Sequence, residues 1–225
     1  MKLDSYFAAA GSQAEQTRLD IIANNVANSN TPGYKKDLLS FNDLLGELEH
    51  TDMSQGAIRP TGNKLDVALS GSGFLCVQAN QGVLYTRAGD LAVDSSNQLV
   101  TRDGWPVLGK NGAPIKVDNA EGLNITDTGQ VFDNNNAVGQ LQLADFPANS
   151  LKKVQGQYFE PANPNTQSVP ATNCTVRQGA LEEANFNTVQ EMTKMIEVTR
   201  EFESYQRTMK NGANLDSELI SKTSG

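Results

Sequence analysis

Few residues in this sequence have side chains that could act together in acid–base, nucleophilic or metal chemistry. His50 is the only histidine among the 225 residues, and it stands in the polar segment "GELEHTDM" without the spacing of a zinc or serine hydrolase. We therefore expect His50 to be a solvent-exposed loop residue. The acidic pair Glu182–Glu183 and the carboxylates Asp94 and Asp103 are near one another in sequence, but we expect them to be solvated surface charges.

Two short motifs begin like ligand-binding loops and then depart from the pattern. Gly71-Ser72-Gly73 opens like a dinucleotide-binding loop, but Cys76 stands in place of the third glycine and a strand pattern follows instead of a helix. The run that starts at Asp133 offers alternating oxygen ligands for calcium, but Val138 and Ala144 occupy the positions that require glycine and glutamate. The sequence therefore predicts no catalytic residue, no metal site and no cofactor.

The composition argues against two classes of partner. The net charge is −8 and only 38% of the residues are hydrophobic, whereas nucleic-acid binding needs a Lys/Arg surface that neutralises phosphates. The basic pairs Lys35–Lys36 and Lys152–Lys153 are expected on solvated faces. No apolar stretch approaches the roughly 20 residues that span a bilayer, so we expect no direct membrane insertion.

The N-terminus lacks the apolar core of a secretory signal, so the chain either stays in the cytosol or leaves it without a cleaved signal peptide.

Cys76 and Cys174 are the only two cysteines. Cys76 lies in the alternating run "GFLCVQ" and Cys174 in "TNCTV", and neither has the spacing of a metal ligand. These contexts favour buried free thiols, with a single disulfide as the alternative.

Both ends of the chain show helical patterns with residues recurring at alternating steps of three and four, the spacing of a coiled-coil seam. The C-terminal helix is predicted to begin after Asn187, a good N-cap with Gln190 three residues later. The N-terminal seam consists of Leu3, Phe7, Ala10, Ala14, Ile21, Asn24 and Asn28. The C-terminal seam consists of Met192, Met195, Thr199, Phe202, Met209, Ala213 and Ile220. We expect these seams to be assembly surfaces that pack against other helices.

The segment "NNVANSNTPGYKK" ends the first helix abruptly. Thr31 is biased to an extended conformation because it precedes Pro32, and Pro32 followed by Gly33 fits the central positions of a type II turn. The candidate turn motif, which redirects the chain out of the helix, consists of Thr31, Pro32, Gly33, Tyr34 and Lys35.

The amides before this turn allow two interpretations. Asn24 and Asn28 are one helical turn apart on the seam, where pairing with each other or with a partner helix would fix the register of packing. Alternatively, Asn28 or Asn30 is an ordinary left-handed cap at the end of the helix.

Between residues 61 and 179 the hydrophobic pattern alternates, as in β-strands. The turn signals Asn80-Gln81-Gly82, Ser95-Ser96-Asn97 and Asp103-Gly104 separate β-branched and aromatic runs at hairpin spacing. About six strands are expected before residue 110. Further strands are expected at 115–117, 123–126, 129–133 and 138–146.

Two segments are predicted to connect these parts. Residues 34–60 form a connector with a short helix at 38–48, whose apolar residues share a face and which Asp37 can cap. Residues 147–173 contain most of the prolines and are expected to be irregular surface chain.

The predicted fold is α+β, with long terminal helices that pair as a coiled coil around an all-β middle domain. Its parts are a discontinuous helical assembly domain at 1–33 and 180–225, the connector at 34–60 and a β-rich outer domain at 61–179.

Four blocks, in order, resemble the bacterial flagellar axial proteins, the family of rod and hook proteins. They are "DIIANNVANSNTPGYKK", "KLDVALSGSGFL", "YTRAGDLAVDSSNQLVTRDGWPVLG" and "QGALEEANFNTVQEMTKMIEVTREFESYQ". The short distance between the connector and the second block resembles the proximal-rod type most, with distal-rod and hook-related subunits as the alternative.

The resemblance implies a non-enzymatic structural subunit of the flagellar basal-body rod. Such a subunit would polymerise helically with copies of itself and other rod proteins to form the drive shaft and export channel. It would leave the cytosol through the flagellar type III export apparatus, without cleavage, and assemble in the periplasm.

Two other classes of function are compatible with the residues alone. An envelope carbohydrate-binding or peptidoglycan-cleaving protein would use Asp and Glu side chains of the β domain, but it would not need long helical seams. A free-standing coiled-coil adaptor would instead form a discrete small oligomer.

Overall fold

The computed structural model describes the backbone of residues 2–42 and 46–223, and the side chains of residues 7–39 and 50–214. Helix α1 is Lys2–Ala27 and helix α2 is Thr188–Thr223. Between them the described residues form short strands joined by turns and loops, with one 3₁₀ turn at Ala120–Gly122. The α+β class predicted from the sequence is therefore confirmed. None of the described helices is long and apolar enough to cross a membrane.

The strands within the described residues are short. They are β1 Asp37–Asn42, β2 Gly46–Thr51, β3 Ile58–Pro60, β4 Val67–Gly71, β5 Phe74–Ala79, β6 Gly82–Thr86, β7 Ala92–Val93, β8 Leu99–Val100, β9 Leu123–Ile125, β10 Gln130–Asp133, β11 Asn136–Gln140, β12 Leu143–Asp145, β13 Leu151–Gln155, β14 Tyr158–Pro161, β15 Val169–Pro170, β16 Cys174–Gln178 and β17 Ala180–Glu182. One sheet has six strands in the order β13-β14-β6-β5-β12-β15, and another has three in the order β11-β10-β9. The remaining strands form the pairs β1-β2, β16-β4, β17-β3 and β7-β8.

The chain divides into two compact units. The helical unit comprises 1–27, 37–49 and 186–225, and the β unit comprises 28–36 and 50–185. Within the β unit, β3 and β4 pair antiparallel with β17 and β16. The first and last strands of that unit are therefore neighbours, although more than a hundred residues separate them in sequence.

The core of the β unit consists of aliphatic side chains contributed by most of its strands. It includes the fully buried Leu69, Leu75, Leu99 and Val131. Cys76 and Cys174 are free thiols, the first buried and the second half-buried. Burial raises the pKa of the Cys76 thiol to about 12, so this side chain remains protonated at neutral pH and acts as a small apolar core residue.

The local turn signals predicted the hairpins correctly. Asn80–Gln81 joins β5 to β6, and the turn that joins β7 to β8 includes Asn97 with a positive φ of 58°. Gly104 also has a positive φ. These turns were predictable because their geometry depends on adjacent residues.

The helix predicted at 38–48 is wrong, because the described residues there belong to β1 and β2; residues 43–45 lie outside the described residues. A short apolar run fits either a helix face or a strand. Here the choice is fixed by Asn25 of α1, whose amide pairs with both backbone groups of Asp37.

The prediction of irregular chain at 147–173 is also wrong, because β13 and β14 form a hairpin there and β15 follows. The aromatic side chains of Tyr158 and Phe159 are buried, and this burial holds the hairpin in the sheet despite the nearby prolines. Residues 115–117 form only isolated bridges instead of a strand. The single strand predicted at 138–146 is two strands, β11 and β12, in different sheets.

Candidate assembly site

The predicted turn after α1 is present within the β unit. The Tyr34 backbone N–H donates to the Thr31 carbonyl at 3.3 Å, and Gly33 between them has a φ of +67°. This hydrogen bond, with Pro32 and Gly33 at the centre, is the pattern of a type II turn. Neither Asn28 nor Asn30 has a positive φ, so the left-handed cap is not formed at either residue.

Gly33 is required by packing as well as by its backbone conformation. A Cβ at this position would lie 2.3 Å from the backbone carbon of Arg87. The Gly33 N–H also donates to the carbonyl of Glu182 at 2.7 Å. The turn therefore packs directly against two backbone segments of the β unit, at Arg87 and Glu182, which are distant from it in sequence.

A buried ionic cluster lies directly beside this turn. The Lys35 Nζ is 2.6 Å from the Glu182 Oε1, and the Arg87 Nη1 is 3.2 Å from the Glu182 Oε2. All three side chains are buried. The expectations that Lys35 and Glu182 are solvated surface charges are therefore wrong, because each finds its charged partner in a segment far away in sequence.

The cluster carries two cations and one carboxylate, and hydrogen bonds to backbone groups add to its stabilisation. Lys35 donates to the Ser54 carbonyl at 2.5 Å, and Arg87 donates to the Gly71 carbonyl at 2.6 Å. The Glu182 carboxylate also accepts from the Gly56 N–H at 2.9 Å. Burial lowers the pKa of Lys35, and the Glu182 carboxylate opposes that shift.

Two further side chains attach the turn to the β unit. The Lys153 Nζ donates to the Lys35 carbonyl at 2.6 Å and lies 4.0 Å from the centre of the buried Tyr34 ring. Asn185 accepts from the Lys36 N–H at 2.9 Å. It also donates to the Asp52 carbonyl at 2.7 Å. The segment that leaves α1 and the segment that leads to α2 are therefore bound side by side.

The buried amide in the helix end is Asn25, which sequence reasoning did not select. Its side chain donates to the Asp37 carbonyl at 2.9 Å and accepts from the Asp37 N–H at 2.9 Å. These two bonds reproduce the pairing that a neighbouring strand would supply. Asn25 therefore joins α1 to the start of β1 within the helical unit.

We expect Asn25→Ala to lower the free energy of unfolding by about 2–4 kcal/mol, because a buried backbone donor and acceptor of Asp37 lose their partners. Urea unfolding followed by far-ultraviolet circular dichroism measures this. Gln13→Ala, at an exposed position of the same helix, is the control and should change stability by less than about 0.5 kcal/mol. Equal effects of the two substitutions would contradict the role of Asn25.

The two helices contact each other within the helical unit. Gly11 lies under the Tyr205 ring, since a Cβ on Gly11 would be 2.7 Å from a carbon of that ring. The Gln206 amide donates to the Ser12 hydroxyl at 3.4 Å. Small residues on α1 thus permit a close approach of α2.

The predicted N-terminal seam residues whose side chains the structure describes are exposed or half-buried. Phe7, Ala10 and Asn24 are exposed, and the Leu3 side chain lies outside the described residues. Ala14, Ile21 and Asn28 are half-buried. Among the described side chains of α1, the buried ones are Ala8, Ser12, Ile22 and Asn25. Three of them, Ala8, Ile22 and Asn25, directly follow a predicted seam residue.

The predicted C-terminal seam residues of α2 differ in their exposure. Met195, Thr199, Phe202 and Met209 are half-buried. Met192 and Ala213 are exposed, and the Ile220 side chain lies outside the described residues. Among the α2 side chains that the structure describes, the buried ones are Glu191 and Val198, which were not selected from the sequence.

Three large apolar side chains form an exposed strip on α2. Val189 is 71% exposed, Met192 48% and Ile196 56%. Their spacing of three and four residues places them on one side of the helix. Phe7 of α1 is also 63% exposed.

Within the described residues, no cluster of three His, Cys, Asp or Glu side chains could hold a metal ion.

Three family models match successive parts of the chain. The flagella basal body rod protein model matches residues 6–35, and the flagellar hook protein FlgE/F/G D1 domain matches residues 68–132. The flagellar basal body rod FlgEFG protein C-terminal model matches residues 177–222. These matches contain the turn motif, much of the β unit and most of α2.

Full-length relatives agree with this assignment. The flagellar basal-body rod protein FlgF of Rhizobium meliloti is 31% identical over 94% of this chain and 93% of its own length. The chain belongs to the flagellar basal-body rod proteins. The FlgF rod protein of Caulobacter vibrioides is 33% identical over 91% of both chains. The FlgG rod protein of Bacillus subtilis is 30% identical over 96% of this chain and 97% of its own.

The chain is thus an FlgF-like structural rod protein of the flagellar basal body. The residues that fix its turn lie within the matched segments, namely Gly33, Lys35 and Glu182. Because these three residues are buried, we infer that they stabilise the β unit. They also hold in place its first segment, which follows α1, and its last segment, which precedes α2.

Proposed function

We propose that this rod protein assembles through the exposed apolar faces of its two helices. The observation that carries the proposal is the strip formed by Val189, Met192 and Ile196, together with Phe7. Burying one such side chain contributes about 1.5–3 kcal/mol. A monomer that leaves several exposed on long helices has a surface suited to a neighbouring helix.

We further propose that α1 and α2 pair as a coiled coil within each subunit. The buried and half-buried positions of α2 at 191, 195, 198, 202 and 209 keep the register of alternating steps of four and three. Position 205 completes this register, and Tyr205 there is 37% exposed but has its ring against Gly11. On α1 the corresponding positions are 8, 12, 15, 19 and 22. This spacing leaves the predicted N-terminal seam beside the pair, where Phe7 can contact another subunit.

Assembly with copies of itself and with other rod proteins would follow from contacts between different surfaces of successive subunits. Such contacts generate a helical polymer when the rotation between subunits does not close into a ring. In this proposal the polymer is a tube that transmits torque and encloses the channel for later subunits. The subunit performs no catalysis.

The route to that position is also part of the proposal. The subunit would leave the cytosol unfolded through the flagellar type III apparatus and assemble in the periplasmic part of the basal body. FlgF and FlgG relatives both match nearly the whole chain. The short distance between the connector and the second sequence block supports the proximal-rod position as our first assignment, with the distal-rod position as the alternative.

Replacing two residues of the strip tests the assembly proposal. We expect Met192→Glu combined with Ile196→Glu to weaken self-association or association with another rod protein by at least about tenfold, because two carboxylates would be buried in an apolar contact. Sedimentation velocity over a range of protein concentrations measures this association.

The control for this experiment is Thr208→Glu, which also adds a negative charge at an exposed position of α2 but lies about 100° or more around the helix from each residue of the strip. It should associate like the wild type. Unchanged association of the double variant, with its helix content retained, would exclude the strip as the assembly surface.

A further inference from the structure

A groove in the β unit carries a separate set of side chains suited to binding. Its volume is about 540 Å³, within the range of small-molecule sites. It is lined by the turn between β5 and β6, by the hairpin of β13 and β14, and by Trp105. Neither the turn motif nor the helix faces contribute to it.

Trp105 is held in a fixed position at this groove. Its ring centre is 4.3 Å from that of Tyr158, whose hydroxyl donates to the Asp103 carboxylate at 2.7 Å. The Thr101 N–H also donates to the Trp105 carbonyl at 2.9 Å. The indole is therefore a preorganised apolar surface, which reduces the entropy lost when a ligand binds against it.

The other lining side chains combine apolar surface with neutral polar groups. Val83 and Val154 are both exposed, at 39% and 46%. The amides of Asn80, Gln81 and Gln155 also line the groove. Each amide offers both donors and an acceptor to a ligand.

The groove has no net charge among its lining residues. Its two charged side chains, Lys152 and Glu160, face each other on β13 and β14 and form an ion pair at 2.8 Å. A strongly anionic or cationic ligand therefore gains little here. The chemistry favours a neutral ligand that has both an apolar face and many hydroxyl or amide groups.

The position of the groove on the sheet argues against an extended peptide. Its lining residues come from β13, β14 and β6, which are side by side in the six-stranded sheet. Backbone groups of β14 are already paired with strands on both sides. β13 is the edge strand of this sheet, so a peptide could add as a further strand only along the outer side of β13 and not over β14 and β6.

We propose that this groove binds a neutral pyranose chain. One sugar ring lies with its C–H face against Trp105, and its hydroxyl groups hydrogen-bond to the amides of Asn80, Gln81 and Gln155. Val83 and Val154 contact the apolar parts of neighbouring sugar units. This interaction is independent of the helix contacts, so its failure would leave the assembly proposal untouched.

The test uses the full-length protein and its only tryptophan, Trp105, as the reporter. Tryptophan fluorescence is titrated separately with chitotetraose, with cellotetraose and with a proline-rich decapeptide. We expect a saturable change with at least one of the two sugars and none with the peptide. A response to the peptide alone, or no saturable response to either sugar, would overturn the proposal.

Two variants locate the binding. Val154→Glu and Gln155→Ala should each weaken sugar binding by about tenfold, while Val138→Glu should bind like the wild type. Val138 is a matched control because it is a similarly exposed valine, at 40%, outside the groove. If the Val154→Glu substitution disturbs folding, Gln155→Ala still tests the proposal, because it only shortens an exposed side chain. Wild-type affinity in both groove variants would show that the sugar binds elsewhere and would overturn the assignment.

Discussion

Glu182→Gln should lower the free energy of unfolding by about 3–5 kcal/mol, because removing the carboxylate leaves two buried cations without a counter-charge. The side chains of Lys35 and Arg87 both contact this carboxylate and are both buried. The loss should be measured by denaturant unfolding of the full chain. Lys35→Met should cost less, because it leaves Arg87 and Glu182 as a balanced pair.

The next residue along the chain supplies the control. Glu183 is an exposed carboxylate that pairs with the exposed Arg59 at 2.8 Å. Glu183→Gln should therefore change stability by no more than about 1 kcal/mol. If both glutamate substitutions had similarly small effects, the buried cluster would not stabilise the β unit.

Gly33→Ala should destabilise the protein by about 2–4 kcal/mol for two separate reasons. The positive φ of 67° disfavours any residue with a Cβ, and the added methyl would lie 2.3 Å from the Arg87 backbone. The turn would have to move away from Arg87. Thermal and urea unfolding would show a lower midpoint.

Gly112→Ala separates these two causes. Gly112 has a similar φ of +75°, but a Cβ there would meet no atom within 4 Å. Its substitution should cost only the backbone strain, about 1–2 kcal/mol. Equal losses at Gly33 and Gly112 would show that close packing against Arg87 is unimportant.

Features encoded by adjacent residues were predictable from the sequence. The Pro32–Gly33 turn depends on backbone preferences of those two residues. The Asn187 side chain caps α2 by accepting from the Val189 N–H at 2.9 Å, as its position before the helix predicts. Hairpins at Asn80–Gln81 and Asn97 were likewise identified from their turn residues.

Burial of charged residues was not predictable, because it depends on partners distant in sequence. Lys35 and Glu182 are 147 positions apart and each stands beside another residue of like charge. Glu182 does follow two apolar residues, Ala180 and Leu181, in a short strand. Alternation places Ala180 and Glu182 on the same face, and this was the one local signal that Glu182 points inward.

The phase of the α1 seam was difficult to assign for a different reason. Ala8, Ala9 and Ala10 are consecutive, so neighbouring faces of the helix are almost equally apolar there. Ser12 and Asn25 are buried but polar, which removes them from any search for apolar periodicity. The contacts with α2 and Asp37 are what select their face.

The most direct test of the assembly proposal is site-specific cross-linking in isolated basal bodies. Ile196 is replaced by the photoreactive residue p-benzoylphenylalanine, and Thr208 is replaced in the same way as the control. If the exposed strip on α2 is the contact between subunits, irradiation should produce covalent adducts with another rod subunit from position 196 and few from position 208. Adducts from position 208 alone, or none from position 196 in fully assembled basal bodies, would contradict it.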